Sequence, residues 1–134
     1  WEELNPDVLS RCCPYSGERI TALDLLSSDG RIEIEHILPY AQTLDDSLNN
    51  KTVSMRWVNR IKGNKTPAEA FGQDQVNGCS YEDILKRAEQ MPKAKRYRFA
   101  LDAMARWDQE GKGFLARALN DTRYLSRIAA STSA

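Results

Sequence analysis

Residues 31–63 constrain the fold of this chain most, because two strand patterns and a helix pattern follow one another closely. Apolar and charged residues alternate over residues 31–35, the period of a half-buried strand, with Glu33 and Glu35 on its exposed face. Pro39 cannot donate to a continuing ladder, so the strand ends before it. Residues 52–55 suit a returning strand, and residues 56–62 suit a short helix stopped by Gly63. We therefore predict an α+β, mainly helical fold around a ββα unit with a short two-stranded antiparallel sheet.

The same stretch contains the residue types that hydrolysis of a phosphodiester requires. That reaction needs a cation to neutralise developing phosphate charge and a base to deprotonate water. Glu35 and Asn59 offer the hard oxygen ligands that Mg²⁺ or Mn²⁺ prefers. His36 is the only histidine of the chain, and a neutral imidazole accepts a proton at physiological pH. These residues predict a metal-dependent active site at the centre of the ββα unit.

A structural interpretation of each residue competes with the functional one. A lone histidine beside a strand is more often a packing or surface residue than a catalyst, but here it lies within an ordered set of candidate residues. That set comprises Glu35, His36, Pro39, Asp45, Asp46, Asn50 and Asn59. Carboxylates in a loop usually accept nearby backbone N–H groups, so Asp45 and Asp46 are predicted to shape the loop, and Asn50 similarly.

Five short motifs stand out along the chain: Pro14-Tyr15-Ser16-Gly17, Glu33-Ile34-Glu35-His36, Asp45-Asp46-Ser47-Leu48-Asn49-Asn50-Lys51, Gly63-Asn64-Lys65-Thr66-Pro67 and Leu119-Asn120-Asp121-Thr122-Arg123-Tyr124. Together they resemble the HNH domain of compact type II CRISPR effector nucleases. The resemblance covers about residues 11–128. It implies that His36 is the general base and that Glu35 and Asn59 are the metal ligands of a ββα-metal core. It also implies that the substrate is the DNA strand paired with a guide RNA. The family usually has Asp before the histidine, and Glu35 is one methylene longer.

Length and composition fit one domain of a larger protein. With 134 residues and 41% apolar content, the chain can bury a single core. We expect one HNH domain over residues 1–134, with residues 1–10 and 119–134 near linkers to the rest of the parent chain. By the resemblance, that parent supplies RuvC-like and recognition domains. The sequence has no signal peptide pattern or membrane-spanning apolar run, which predicts a cytoplasmic protein. The resemblance implies a prokaryotic source, and we expect the isolated domain to be a monomer.

The charge distribution bears on how DNA is bound. Zero net charge is unusual for an autonomous DNA-binding protein, since phosphate neutralisation supplies most nonspecific affinity. Basic residues nevertheless cluster around Asn59 without intervening acids. DNA backbone contact or support of the site is therefore predicted for Lys62, Arg60, Lys51 and Asn50. A second basic run, Lys93, Lys95, Arg96 and Arg98, is interpreted as the solvated face of an amphipathic helix.

The cysteines and the remaining helix signals complete the prediction. Cys12 and Cys13 are adjacent and no second pair has ligand spacing, so no structural zinc is expected. Helices are predicted to begin at Asn5-Pro6-Asp7, Thr21, Thr66-Pro67 and Pro92, and a capping box at Ser80 is predicted to start one that runs to about Gln90. Gly111 and Gly113 are expected to interrupt the pattern before a last helix.

Three functions remain open from the sequence. The first is the HNH endonuclease domain of an RNA-guided effector. The second is a free-standing HNH nuclease of restriction or homing type. The third is a noncatalytic nucleic-acid-binding module on the same fold. Zero net charge and the absence of an initiator Met favour the first over the second, and the complete set of Glu35, His36 and Asn59 disfavours the third.

Overall fold

A computed structural model describes residues 1–73 and 75–119, with side chains described to residue 111. The chain divides into two units, Trp1–Ala103 and Met104–Ala134. The first contains helices α1 (Ala22–Leu26), α2 (Tyr40–Thr43), α3 (Arg56–Lys62), α4 (Pro67–Phe71), α5 (Tyr81–Ala88) and α6 (Lys93–Arg96), and strands β1 (Ile32–His36) and β2 (Lys51–Met55). Short 3₁₀ turns cover Glu2–Leu4, Val8–Ser10, Leu48–Asn50 and Tyr97–Phe99. Helix α7 (Ala103–Leu119) accounts for the described part of the second unit.

The two strands and α3 form the ββα unit that the sequence predicts. β1 and β2 pair antiparallel, with Ile32 opposite Met55 and His36 opposite Lys51. β2 passes directly into α3, which ends at Gly63, where the backbone φ is 54° and a side chain would be strained. The mainly helical α+β fold class is confirmed.

The predicted orientation of β1 is wrong. Ile34 is 71% exposed, whereas Glu35 is only 2% exposed and Glu33 is partly buried. The reason is that α3 covers the acidic face of the strand, with Asn59 bonded to Glu33 and Lys62 paired with Glu35. Alternation alone shows which residues share a face, but the elements packed on each face decide which one is buried.

Tyr15 lies at the centre of the core. Its ring centroid is 5.3 Å from that of Phe71 and 5.8 Å from that of Phe99. It lies in a turn, residues 13–18, that is closed by a hydrogen bond from Cys13 N–H to the carbonyl of Glu18 at 2.8 Å. Arg87 in α5 donates to the carbonyls of Pro14 and Tyr15 at 3.2 and 3.1 Å. This turn, called the Tyr15 turn below, is therefore fixed from both sides.

Most helix starts occur where the sequence predicts them. Thr21 with Asp24, and Thr66 with Glu69, form capping boxes, and Pro67 occupies the first turn of α4. The Ser80 capping box is wrong, because the Ser80 side chain caps no backbone N–H and α5 ends at Ala88. The helix predicted from Asn5 is replaced by 3₁₀ turns, of which Val8–Ser10 is capped by Asp7.

Helix α7 continues through the two glycines that were expected to interrupt it. A glycine inside a helix costs about 1 kcal/mol relative to alanine, which the favourable residues around it can offset. Predictions for residues 120–134 lie outside the described residues. Among the residues that are described, no helix is long and apolar enough to cross a bilayer.

The prediction that the second basic run is a solvated face is wrong for two of its members. Lys95 and Arg98 are each 5% exposed. Nζ of Lys95 lies 2.6 Å from Oε2 of Glu3, and Nη2 of Arg98 lies 3.1 Å from Oδ2 of Asp45. The Tyr97–Phe99 turn buries Phe99 in the core, which brings the neighbouring cations inward, and each is neutralised by a carboxylate.

Candidate active site

Glu35, His36 and Asn59, the residues predicted as metal ligands and general base, meet at one cavity between β1 and α3. Its volume is about 300 Å³, and its lining comprises Ile34, Glu35, His36, Pro39, Tyr40, Asn59, Gly63 and Asn64. Glu35 and His36 enter at the end of β1, and Asn59 enters from the middle turn of α3. The structure therefore brings Glu35 and Asn59, which are 24 positions apart, to the one site that the sequence predicts. The roles of these residues remain predictions.

Glu35 is held by two buried partners. The hydroxyl of Tyr15 donates to Oε1, and Nζ of Lys62 lies 3.0 Å from Oε2. Burial raises the pKa of Glu35, while the positive charge of Lys62 and the Tyr15 hydrogen bond oppose that rise. Burial and the neighbouring carboxylate also raise the pKa of Tyr15, so its hydroxyl remains a donor. Sequence reasoning missed Tyr15 as a site residue, since nothing in the spacing links it to Glu35.

Lys62 supports the site instead of reaching into solvent. Its side chain is 1% exposed, and Nζ donates to the backbone carbonyl of His36 at 2.8 Å. It therefore joins the end of α3 to the end of β1. Asn50 is also fully buried, so of the four predicted contacts Arg60 and Lys51 are the ones that solvent reaches.

Asn59 is oriented by Glu33. Its Nδ2 donates to Oε2 of Glu33 at 2.8 Å, which leaves the amide oxygen as the acceptor atom of Asn59. The other oxygen of Glu33 lies 3.2 Å from Nε of Arg56. Glu33 was not predicted as a site residue, although its spacing of two from Glu35 signals a shared face.

His36 contacts an acidic loop and an exposed aromatic ring. Its Nε2 lies 2.8 Å from Oδ1 of Asp46, and Nζ of Lys51 lies 3.3 Å from the same oxygen. The hydrogen bond with His36, and then Lys51, lower the pKa of Asp46, which therefore stays ionised. The ring of Tyr40 lies 5.1 Å from the imidazole. Asp46 thus orients His36 instead of accepting a backbone N–H as predicted.

Asp45 and Asn50 shape the loop of residues 44–50, called the Asp45 loop. Oδ1 of Asn50 accepts the N–H of Leu38 at 2.9 Å, and its Nδ2 donates to the carbonyls of Leu38 and Asp45 at 3.0 and 2.9 Å. Asp45 accepts the N–H of Ser47 at 3.0 Å. The loop is therefore fastened to the chain directly after His36.

The donor set fits a hard divalent cation. Oε2 of Glu35 is buried and pairs with Nζ of Lys62 at 3.0 Å without a hydrogen bond of good geometry, whereas the amide oxygen of Asn59 is not engaged by Glu33. Among the described residues, no group of three or more His, Cys, Asp and Glu side chains is placed to hold a metal. Mg²⁺ typically takes one or two carboxylates and keeps several waters, so a small oxygen set is sufficient.

Comparison with known proteins agrees with this arrangement. A family model described as HNH endonuclease matches residues 13–68. The CRISPR-associated endonuclease Cas9 of Campylobacter jejuni is 41% identical over 116 residues, which are 87% of this chain and 11% of that protein. Cas9 1 of Streptococcus thermophilus is 32% identical over 120 residues, 87% of this chain and 10% of the relative. The chain thus spans about a tenth of the length of these relatives.

A solved structure extends the similarity to the fold. The crystal structure of Streptococcus thermophilus Cas9 in complex with AGGA PAM matches with a TM-score of 0.61 and 26% identity, over 68% of this chain and 9% of that one. The chain belongs to the HNH endonucleases and corresponds to the HNH domain of a type II CRISPR effector.

Proposed function

We propose that this domain hydrolyses phosphodiester bonds of the DNA strand that is paired with a guide RNA in a larger effector, with His36 as general base. The observation that carries the proposal is the shared cavity, which brings a half-exposed imidazole beside a carboxylate and an amide oxygen. A general base must reach the attacking water, and the partial exposure of His36 permits this.

In the proposed mechanism, each described residue has a separate task. His36 takes the proton of the attacking water while Asp46 holds the ring and stabilises the imidazolium that forms. Glu35 and Asn59 would hold Mg²⁺, or Mn²⁺ in its place, which when bound neutralises charge on the phosphate. Tyr15 and Lys62 keep the Glu35 carboxylate in position. Arg60 and Lys51 are available to the DNA backbone.

The wider context is also part of the proposal. The relatives are CRISPR-associated endonucleases that are about ten times longer than this chain. For this reason we propose that the substrate is DNA in a heteroduplex and that the parent chain also contains RuvC-like and recognition domains. We also propose a cytoplasmic location in a prokaryote. Residues 1–10 and 119–134 are proposed as the segments near the linkers, and the isolated domain is proposed to be a monomer.

The decisive test replaces the general base in the full effector. With His36→Ala, cleavage of the guide-paired strand should slow by about 10²- to 10⁴-fold, the contribution of a positioned general base. The other strand should still be cut, which serves as the internal control, and strand-labelled products resolve the two. Unchanged cleavage of the paired strand would contradict the assignment.

A further inference from the structure

The pair of Arg98 and Asp45 joins the Tyr97–Phe99 turn to the Asp45 loop across 53 positions of sequence. Nη2 of Arg98 lies 3.1 Å from Oδ2 of Asp45, and the two side chains are 7% and 16% exposed. Nη1 of Arg98 donates to the carbonyl of Ala94, and its guanidinium carbon lies 4.8 Å from the centroid of the Tyr97 ring. The guanidinium is therefore held in one orientation by its surroundings.

Asp45 is fixed through both its backbone and its side chain. Its N–H donates to Oγ1 of Thr43 at 3.2 Å, and its carbonyl accepts Nδ2 of Asn50 at 2.9 Å. Burial alone would raise the pKa of Asp45, but hydrogen bonds from Ser47 and Arg98 outweigh it and the pKa is lowered. Asp45 is thus a fixed anion at neutral pH, and Arg98 is the cation that faces it.

The residue that follows Asp45 reaches the imidazole. The Asp46 side chain is 65% exposed, and the contacts described for it are with His36 and Lys51, at 2.8 and 3.3 Å. Apart from its pairing with the Lys51 ammonium, an exposed carboxylate on a loop is held towards the imidazole mainly by the backbone that carries it. The position of the backbone at Asp45 therefore sets the direction from which Asp46 meets His36.

Stability gives a poor explanation for the buried pair. The desolvation of two charges commonly cancels their attraction, so a buried ion pair is often no more stabilising than apolar residues of similar volume. Nε of Arg98 is in addition buried without a hydrogen-bond partner, which is a further cost. What the pair does supply is a fixed distance and direction between the Tyr97–Phe99 turn and the Asp45 loop.

We propose that Arg98 is a positioning residue for His36, acting through Asp45 and the loop that carries Asp46. This inference rests on the proposed role of His36 as general base. Loss of Arg98 leaves the backbone of His36 in place at the end of β1, but Asp46 no longer approaches the imidazole ring from a fixed direction. The consequence is a slower proton transfer, with DNA binding and cation binding unchanged.

The test uses the double variant Arg98→Met and Asp45→Asn, which removes both charges and leaves no buried charge unpaired. In this 134-residue chain, kcat for DNA cleavage with Mg²⁺ should fall about 10- to 100-fold, as is usual when a group supporting a site residue is lost. KM for DNA and the Kd for Mn²⁺ should remain as in the unaltered chain. Because His36 is the only histidine, its ring gives one resolved ¹H–¹³C signal, which should shift in the metal-free double variant.

Two further variants separate positioning from scaffolding. Lys95→Met with Glu3→Gln removes a neighbouring ion pair in which Lys95 is buried and Glu3 is 38% exposed, so it is a control that should leave the His36 signal and kcat unchanged. Adding Asp46→Asn to the Arg98 and Asp45 variant should slow cleavage no further, because both changes act on one contact. Arg98→Lys should recover part of the lost rate.

The outcomes distinguish this inference from the proposed function. An unchanged His36 signal and kcat in the double variant, or an equal effect of the Lys95 and Glu3 control, would overturn the role of Arg98. If His36→Ala cleaves at the original rate, the proposed function fails, yet the His36 signal still reports whether Arg98 positions the ring.

Discussion

Glu35 depends on a tyrosine 20 positions earlier for the orientation of its carboxylate. Tyr15 is fully buried between two aromatic rings, so its hydroxyl cannot turn towards solvent and meets Glu35 instead. A hydrogen bond to a charged group typically contributes about 1.5 to 3 kcal/mol. Tyr15 therefore contributes to the candidate cation site without lining its cavity.

Removing that hydroxyl should weaken cation binding. With Tyr15→Phe, Oε1 of Glu35 loses its donor, the pKa of the carboxyl rises further, and the ionised form that binds cations is disfavoured. We expect the Kd for Mn²⁺ to rise about tenfold, the equivalent of one such hydrogen bond, as measured by calorimetry or electron paramagnetic resonance. Tyr81→Phe is the matched control, since Tyr81 donates to the carbonyl of Phe99 at 2.5 Å instead of to the site. An equal effect of both variants would assign Tyr15 to the core alone.

We expect Tyr40 to contact the proposed DNA substrate. Its side chain is 46% exposed, lines the cavity and lies beside His36, and an aromatic face stacks on a nucleobase with about 1 to 3 kcal/mol. With Tyr40→Ala, KM for DNA should rise about tenfold or more. With the unaltered chain, an abasic nucleotide beside the scissile bond should raise KM by the same factor. With Tyr40→Ala, the abasic substrate should raise KM no further. Leu23→Ala in α1, an exposed residue outside the cavity lining, is the control.

The sequence predicts the candidate residues better than their surroundings. Glu35, His36 and Asn59 could be predicted because their types and spacing fit one chemistry on adjacent elements. The neighbouring residues that hold these side chains in position could not be predicted from the sequence. Tyr15 and Glu33 contact Glu35 and Asn59 through packing between distant segments, and Arg98 contacts Asp45 in the same way. Lys62 is buried although its charge predicts exposure. Local patterns do not contain long-range contacts.

At the scale of elements, turns and helix starts were the predictable part. Thr21, Thr66 and Gly63 act through their own neighbours, so the sequence is sufficient to place them. The inner face of β1 was predicted wrongly because it depends on α3. The 3₁₀ turn at Tyr97–Phe99 was missed for the same reason, since burial of Phe99 in the core decides it.

Alanine substitutions at two glycines should change the stability of the fold in opposite directions. Gly111 lies within α7 and has open space at the position of a Cβ, so Gly111→Ala should stabilise the helix by about 1 kcal/mol. Gly17, in the Tyr15 turn, has a φ of +78°, and a Cβ there would lie 2.6 Å from Nη2 of Arg87. Gly17→Ala should therefore destabilise the fold by about 1 kcal/mol or more. Urea unfolding of both variants measures the difference, and equal shifts of the same sign would contradict it.

For the whole molecule, zero net charge limits autonomous DNA binding. The isolated chain should bind duplex DNA weakly, with little sequence preference, and cleave it slowly, because most nonspecific affinity comes from neutralising phosphates. Attachment to a larger protein raises effective concentration to about the millimolar range, which compensates for weak binding. A titration at physiological salt over varied duplexes tests this. Nanomolar, sequence-specific binding with efficient cleavage would favour a free-standing nuclease.

The acid stability of the molecule should depend on Asp45. Its folded pKa lies below its unfolded value, so its contribution is present above about pH 4 and is lost as the pH falls through the folded pKa. Asp45→Asn should cost about 1 to 3 kcal/mol of unfolding free energy at pH 7. At pH 2 to 3 the two proteins should approach each other in stability, as followed by circular dichroism. A constant difference across this range would show that the charge of Asp45 is unimportant.

Lys62 gives the fold its own counterion. Its ammonium lies 3.0 Å from Glu35, so the buried carboxylate is neutralised from within the chain before any cation arrives. We therefore expect folding and cation binding to be separate events, unlike in small domains that fold around their metal. Binding at a concentration near the Kd adds only about 0.4 kcal/mol to stability. A chelator should accordingly stop cleavage while the melting temperature stays almost constant, and we expect the chain to persist folded and inactive until the divalent cation is added back.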